Sequence, residues 1–347
     1  MTHRATGVGS MPGDSFVEAM KTVLGELADL PFLVELPERG PHAAMIGRTA
    51  AMITDIGIDL QPAGWRLTDA SGLDHQRAAS LLAQDLDVLE ELVQDAAVGR
   101  LKVQATGPWT MAASMERPRG DRVLGDHGAR RDLAQALAEG LRVHVQEIRR
   151  RVAGADVVVQ LDEPALPAVL AALIPTASGL GRHRSVTQQE AATAIEWVAS
   201  AVIGPDAGAE VALHCCAADL PLGVLRETSV DALSFDLSAV PSSRYDELAE
   251  WIDSGRALWP GVVPTVEPPD GPPNERPDES PTATELTERL ISWWADLGYT
   301  DVESIPNTTV TPACGLAGAS PRWARSALDA ARDIARNLSV QAGKIEP

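Results

Sequence analysis

The chain has 347 residues, enough for one large α/β barrel or two smaller domains. Its 45% hydrophobic content is ordinary for a globular protein, and its formal net charge of −20 argues against nucleic acid and anionic membrane surfaces as partners. Three cysteines are too few for a disulfide framework, and no apolar run has the length of a signal peptide or a membrane span, so a cytoplasmic protein is expected.

The first predicted strand, Thr6-Gly-Val-Gly-Ser-Met-Pro12, runs into a turn. Gly9 lets the backbone come close to a ligand, and Ser10 supplies an N–H and a hydroxyl. The same stretch also reads as a strand followed by a helix cap at Asp14 or Ser15. A second apolar run begins near Phe32 and ends in Glu35, Glu38 and Arg39, charges that a strand end usually gives to solvent. Residues 57–72 carry few helix signals and read as a surface excursion. From His75 to Val98 the spacing of Leu82, Leu86, Leu89 and Val93 predicts a helix with one apolar face.

The strand from Leu101 stops at Thr106-Gly-Pro108, and Leu133, Leu137, Leu141, Val145 and Ile148 predict a long helix after it. In Asp156-Val-Val-Val-Gln-Leu-Asp-Glu-Pro164 the run of valines marks a strand buried on both faces, as parallel strands are. It ends in Asp162 and Glu163. Val211-Ala-Leu-His-Cys-Cys-Ala217 is a short buried strand running into polar ligands. Alternate side chains of a strand share a face, so His214 and Cys216 point together and Cys215 points away. An imidazole beside a thiolate is half of a zinc site. The other reading makes the cysteines small buried hydrophobes.

A further strand, Ala232 to Asp236, again ends in a carboxylate. Leu258 to Pro264 reads as a strand broken by a Pro-Gly turn. Residues 267–281, rich in proline and acids, read as a long surface loop. A helix over 284–297 precedes a β-like run from Val302 to Val310 that leads to Cys314, and a last helix covers 321–338. Candidate strands therefore begin near Gly7, Phe32, Leu101, Val157, Val211, Leu233, Leu258 and Val302, with helices between them. Such alternation predicts α/β architecture with a parallel sheet, as a single (β/α)8 TIM barrel. Every polar constellation sits at a strand's C-terminal end, the catalytic face of that fold. There His214, Cys216 and Cys314 can meet.

These pieces together resemble the C-terminal catalytic barrel of cobalamin-independent methionine synthase. Val8-Gly-Ser-Met-Pro12 is similar to the family's I-G-S-x-P, Pro37-Glu-Arg39 to the end of G-E-x-E-R, and Thr106-Gly-Pro108 to T-G-P. Leu161-Asp-Glu-Pro-Ala165 is similar to I-D-E-P-A, His214-Cys-Cys216 to H-x-C, Trp259-Pro-Gly-Val262 to G-P-G-V, and Pro312-Ala-Cys-Gly-Leu316 to P-D-C-G-L. Each piece is weak alone; their order and spacing over nearly the whole chain are specific.

The resemblance implies a zinc ion held by His214, Cys216, Cys314 and an acid on the next strand, which falls near Asp236, one methylene shorter than the family's glutamate. It implies a methyl transfer to the thiol of homocysteine, with 5-methyltetrahydrofolate as donor. Asp162 would take the substrate's α-amine, with Glu35 assisting and Glu38 the alternative, since the register there differs by one residue. Backbone N–H groups around Gly9 and Ser10 would take the α-carboxylate. The family's N-terminal barrel has no counterpart here, which leaves a corrinoid donor open. A uroporphyrinogen decarboxylase-like barrel would not need the His/Cys/Cys set. A non-catalytic zinc or amino-acid-binding derivative is the reading from another class.

Overall fold

Strand and helix alternate along the chain because apolar runs with period two alternate with runs of period near 3.6. In the computed structural model, which describes residues 3–94, 98–203, 208–267 and 281–345, nine strands follow in chain order. They are β1 (Arg4–Ala5), β2 (Gly57–Gln61), β3 (Gly64–Thr68), β4 (Arg100–Thr106), β5 (Asp156–Asp162), β6 (Glu210–Cys215), β7 (Ala232–Asp236), β8 (Ala257–Val263) and β9 (Thr309–Pro312). Seven of them form one curled parallel sheet, a half-barrel, in the order β1-β9-β8-β7-β6-β5-β4. The longer helices, among them Leu73–Val93, His127–Arg151, Gln188–Ile203 and Pro321–Gln341, cover its convex side. Among the described residues no helix is long and apolar enough to cross a membrane.

The alternation along β5 and β6 sorts side chains between two environments. Val157, Val159, Leu161, Val211, Leu213 and Cys215 enter the main core between sheet and helices. Val158 and Ala212 face the concave side, where they join Leu30, Ala232 and Trp259 in a small apolar plug. Above this plug the concave side turns polar. Gln160 and Asp162 continue the row of Val158, and His214 continues that of Ala212. Full burial of each large apolar side chain stabilises the fold by roughly 1.5–3 kcal/mol. The plug thus carries the polar layer on a rigid floor.

The segment predicted as a strand at Phe32 makes no regular strand, because Pro31 and Pro37 bracket it and prolines lack the N–H that a ladder needs. It still hydrogen-bonds on both sides. Leu33 N donates to Lys102 O and Lys102 N to Pro31 O, both at 2.9 Å, and Glu35 N donates to Gly9 O at 3.0 Å.

Other expectations are adjusted. The excursion over 57–72 is an antiparallel hairpin of β2 and β3, and it packs down on the core through Ile58, Trp65 and Leu67. Its period-two alternation had been hidden by polar neighbours. The Pro-Gly pair does not break β8. It produces a register shift against β9 between Gly261 and Val263, because Pro260 cannot donate. The last strand begins at Thr309 and not at Val302. Residues Val302–Ser304 form a 3-10 turn, and Pro306 separates it from the β-branched run that pairs. Ser15, not Asp14, caps the first helix, with Glu18 N donating to its Oγ at 3.4 Å. The loop expected over 267–281 lies outside the described residues except at its two ends.

Candidate metal and substrate centre

Two C-terminal strand ends, those of β6 and β9, bring His214, Cys216 and Cys314 together, with one ligand atom of each within 4.8 Å of the others. His214 ends the concave row of β6, and Cys216 lies two residues on. Cys215, between them, is fully buried in the apolar core, and burial pushes its thiol up to about 12. Cys314 follows β9 in a loop held by the Ala313 N–H donating to Val263 O at 2.9 Å. That loop is locked to the N-terminal strand at one close approach. A Cβ on Gly315 would lie 2.1 Å from Ser10 Oγ, and Leu316 N donates to Ser10 O at 2.9 Å.

The imidazole is set up as a ligand. His214 Nδ1 lies 2.9 Å from Ser234 Oγ on the neighbouring strand, while Nε2 is buried without a hydrogen-bond partner. An unpartnered buried ring nitrogen is costly unless something fills the space before it. Donation from Nδ1–H to Ser234 leaves the Nε2 lone pair free, the arrangement of a metal-binding histidine. The two thiols share a proton. The Cys216 S–H holds Cys314 down against the effect of burial, and Cys216 is raised by donating to Cys314. One imidazole and two sulfurs, one of them readily ionised, are a donor set that could hold a metal ion such as zinc.

Asp236 stands apart from this group. Its Oδ1 accepts from Ser238 N at 2.9 Å and Ser238 Oγ at 2.7 Å, capping the 3-10 turn Leu237–Ala239. It borders a cavity of about 300 Å³ that Ala313 and Arg289 also line, so it lies beside the Cys314 loop. An aspartate is short enough to fold back on its own turn, which a glutamate would overreach.

Asp162 lies across from His214 in the β5–β6 register, Glu35 lies by Asp162, and the two are 7% and 4% exposed. Burial pushes Asp162 up to about 6, with His214 and Lys102 opposing, and pushes Glu35 up to about 7, with Arg48 opposing. Glu38 is exposed and accepts from Gly13 N at 2.8 Å, a turn contact. Of the two glutamates weighed in the sequence, Glu35 is the one brought beside Asp162. The space over Gly9 is filled by the Gln104 side chain, which a Cβ would meet at 2.8 Å.

Sequence reasoning missed two residues beneath these carboxylates, Lys102 and Gln160. Lys102 is fully buried in the middle of β4, and burial lowers it to about 7, with Asp162 and Glu35 opposing. Its Nζ donates to Val8 O at 2.8 Å and Gln160 Oε1 at 2.9 Å, and Gln160 Nε2 donates to Asp162 Oδ1 at 2.7 Å. Glu163 anchors the Thr106-Gly-Pro turn: its carboxylate accepts from Trp109 N and Thr110 N at 2.8 Å each and from Thr110 Oγ1 at 2.7 Å. The available signal was polar residues spaced by two inside apolar strands, Lys102 with Gln104 and Gln160 with Asp162.

A family model described as "Cobalamin-independent synthase, Catalytic domain" matches residues 3–337. A comparison with curated protein sequences returns no match. Among solved structures, a B12-independent methionine synthase from a Shewanella species, in complex with selenomethionine, superimposes with a TM-score of 0.61 at 14% identity, covering 99% of this chain and 100% of that one. At that identity the likeness speaks to the fold. A GH5_18 protein from Streptomyces cattleya gives a TM-score of 0.48 at 14% identity, over 99% of this chain and 82% of that one, and carries no argument.

Proposed function

The chain belongs to the cobalamin-independent synthase catalytic-domain family, whose reaction methylates the thiol of homocysteine to methionine, and we propose that His214, Cys216 and Cys314 hold the zinc ion for that reaction here. The observation that carries the reading is the buried, unpartnered Nε2 of His214 facing two thiols. Zinc held there would bind a substrate thiol as its thiolate at neutral pH and leave it nucleophilic. Asp236, which caps its own turn beside the Cys314 loop, is proposed to complete the metal shell when it releases Ser238.

The remaining residues are assigned to the amino-acid end of homocysteine. Asp162 receives the α-ammonium and Glu35 assists; backbone N–H groups at Gly9 and Ser10 receive the α-carboxylate. Charge supports this. Two buried carboxylates, Asp162 close enough to raise Glu35, are both stabilised by an ammonium placed at them. The segment at Phe32 bonds to both β4 and the chain after β1, so we read it as the eighth strand that closes a (β/α)8 barrel, a single catalytic barrel over the chain. Closure would hold Glu35 over Asp162 and keep water away from the thiol. The donor is assigned as 5-methyltetrahydrofolate on family grounds.

A turnover assay tests the reading. Zinc-loaded protein with homocysteine and 5-methyltetrahydrofolate should form methionine, detected by mass spectrometry. Methionine from methylcobalamin alone would move the assignment to a corrinoid donor. No methionine from either donor would remove the methyltransferase reading.

A further inference from the structure

We propose that Lys102 is a positioning residue for the substrate ammonium: through the side-chain amide of Gln160 it fixes the orientation of Asp162. The inference rests on the reading that Asp162 receives that ammonium.

The connection is linear. Lys102 Nζ donates to Gln160 Oε1 at 2.9 Å, and Gln160 Nε2 donates to Asp162 Oδ1 at 2.7 Å. The same Nε2 also donates to Val8 O at 2.8 Å, which accepts from Lys102 Nζ at 2.8 Å as well. Lys102 and Gln160 are both 0% exposed, so water does not substitute for any of these bonds. Phe32 closes the other side of the ammonium, with its ring centroid 5.4 Å from Nζ.

The two ends of a glutamine amide have nearly the same shape, so neighbours decide which end points where. An ammonium offers only donors. Lys102 therefore turns Oε1 toward itself and the NH2 toward Asp162. That NH2 holds Oδ1 and leaves Oδ2 for the substrate. With a neutral, apolar side chain at position 102, Oε1 loses its donor and the amide is held only through the bonds of Nε2 to Val8 O and Asp162 Oδ1. Less firmly oriented, it holds Oδ1 less well and lets Asp162 move off the ammonium's position. Val8 O is one residue before Gly9, so the same pair of donors also sets the strand proposed to receive the α-carboxylate. Gln160 keeps its own bond to Val8 O, so the larger effect of losing Lys102 falls on the ammonium end.

A lysine that merely filled the sheet's concave side would affect every ligand alike. Calorimetry on the zinc-loaded full chain separates the two roles, with homocysteine and 4-mercaptobutanoate, which keeps the thiol and carboxylate and lacks the amine. Gln160→Met and Lys102→Met should each weaken homocysteine about tenfold, the loss of one charge-assisted hydrogen bond. Both should change 4-mercaptobutanoate by less than about twofold and keep the zinc content. In turnover, KM for homocysteine should rise while kcat holds. Adding either change to Asp162→Asn should cause no further loss. Equal weakening of both thiols, or unchanged homocysteine binding in Gln160→Met, overturns the inference; that variant decides alone if Lys102→Met does not fold. Should Asp162→Asn itself keep the preference for the amine, the ammonium assignment falls instead. Loss of preference in Asp162→Asn with preference retained in Gln160→Met removes only the role of Lys102.

Discussion

His214 and Ser234 face one another across β6 and β7, with Nδ1 of the ring 2.9 Å from the serine hydroxyl. The pair fixes which nitrogen of the imidazole is free, and the free one faces Cys216 and Cys314. Groups that orient a metal-binding histidine in this way typically contribute about 10–100-fold to metal affinity. Ser234→Ala should therefore weaken zinc binding by about that factor in a competition titration with a chromophoric chelator, while leaving thermal unfolding of the metal-free protein within about 1 kcal/mol. Unchanged zinc affinity would mean that the serine only fills space.

Cys215 and Cys216 are adjacent in sequence and opposite in environment. Cys215→Ala should keep zinc and lose about 1–3 kcal/mol of stability, the cost of a small cavity in the main core. Cys216→Ala should lose zinc with little packing cost. Denaturant melts with parallel metal analysis read both, and the reverse pattern would place the strand one residue out of register.

Glu163 ties β5 to the turn after β4 through three donors on one buried carboxylate. Burial pushes this carboxyl up to about 7, with the hydrogen bonds from Thr110 and Trp109 pulling the other way. Glu163→Gln presents an NH2 to N–H donors and must lose at least one of these bonds. A destabilisation of about 1–3 kcal/mol is expected in urea melts at pH 8. A variant as stable as the parent would show that the turn is held by its neighbours alone.

His144 is a separate probe of the core. Burial first, and then the Arg48 charge, lower it from 6.5 to about 3. The unfolded chain thus takes up a proton below pH 6.5 that the folded chain refuses. This contribution is complete above 6.5 and is lost as pH falls toward the folded value. At pH 5 the loss is about 2 kcal/mol, from 1.36 kcal/mol per pH unit. Glu35, Asp162 and Glu163 are raised and act in the opposite direction between their unfolded values and about 6 to 7, so the difference between proteins is the quantity to read. The stability of His144→Met relative to the parent should improve by about 2 kcal/mol between pH 7 and pH 5. A pH-independent difference would show that His144 titrates normally in the fold.

Much of this architecture was legible in the residues. Apolar runs such as Val157 to Val159 and the punctuation of Thr106-Gly-Pro108 mark strands and their ends, because burial on two faces and sharp turns each demand particular side chains. The convergence of His214 with Cys216 followed from strand alternation, and Cys314 joined them through the parallel order of the sheet. What stayed hidden depended on contacts distant in sequence. Nothing local tells that Lys102, in an apolar strand, meets Gln160 and Val8, or that Ser234 meets His214. The hairpin at 57–72 was missed because its buried positions, Ile58, Trp65 and Leu67, are diluted by polar residues. The irregular strand at Phe32 takes its pairing from both neighbours and not from its own ladder.

X-ray absorption at the zinc edge tests the metal assignment most directly. The zinc-loaded protein should show two sulfur ligands, from Cys216 and Cys314, with the rest nitrogen or oxygen. Addition of homocysteine should raise the sulfur count to three, and Cys216→Ser/Cys314→Ser should retain no stoichiometric zinc. A sulfur count that stays at two in the presence of homocysteine, or zinc retained at full stoichiometry by the double variant, would contradict the account.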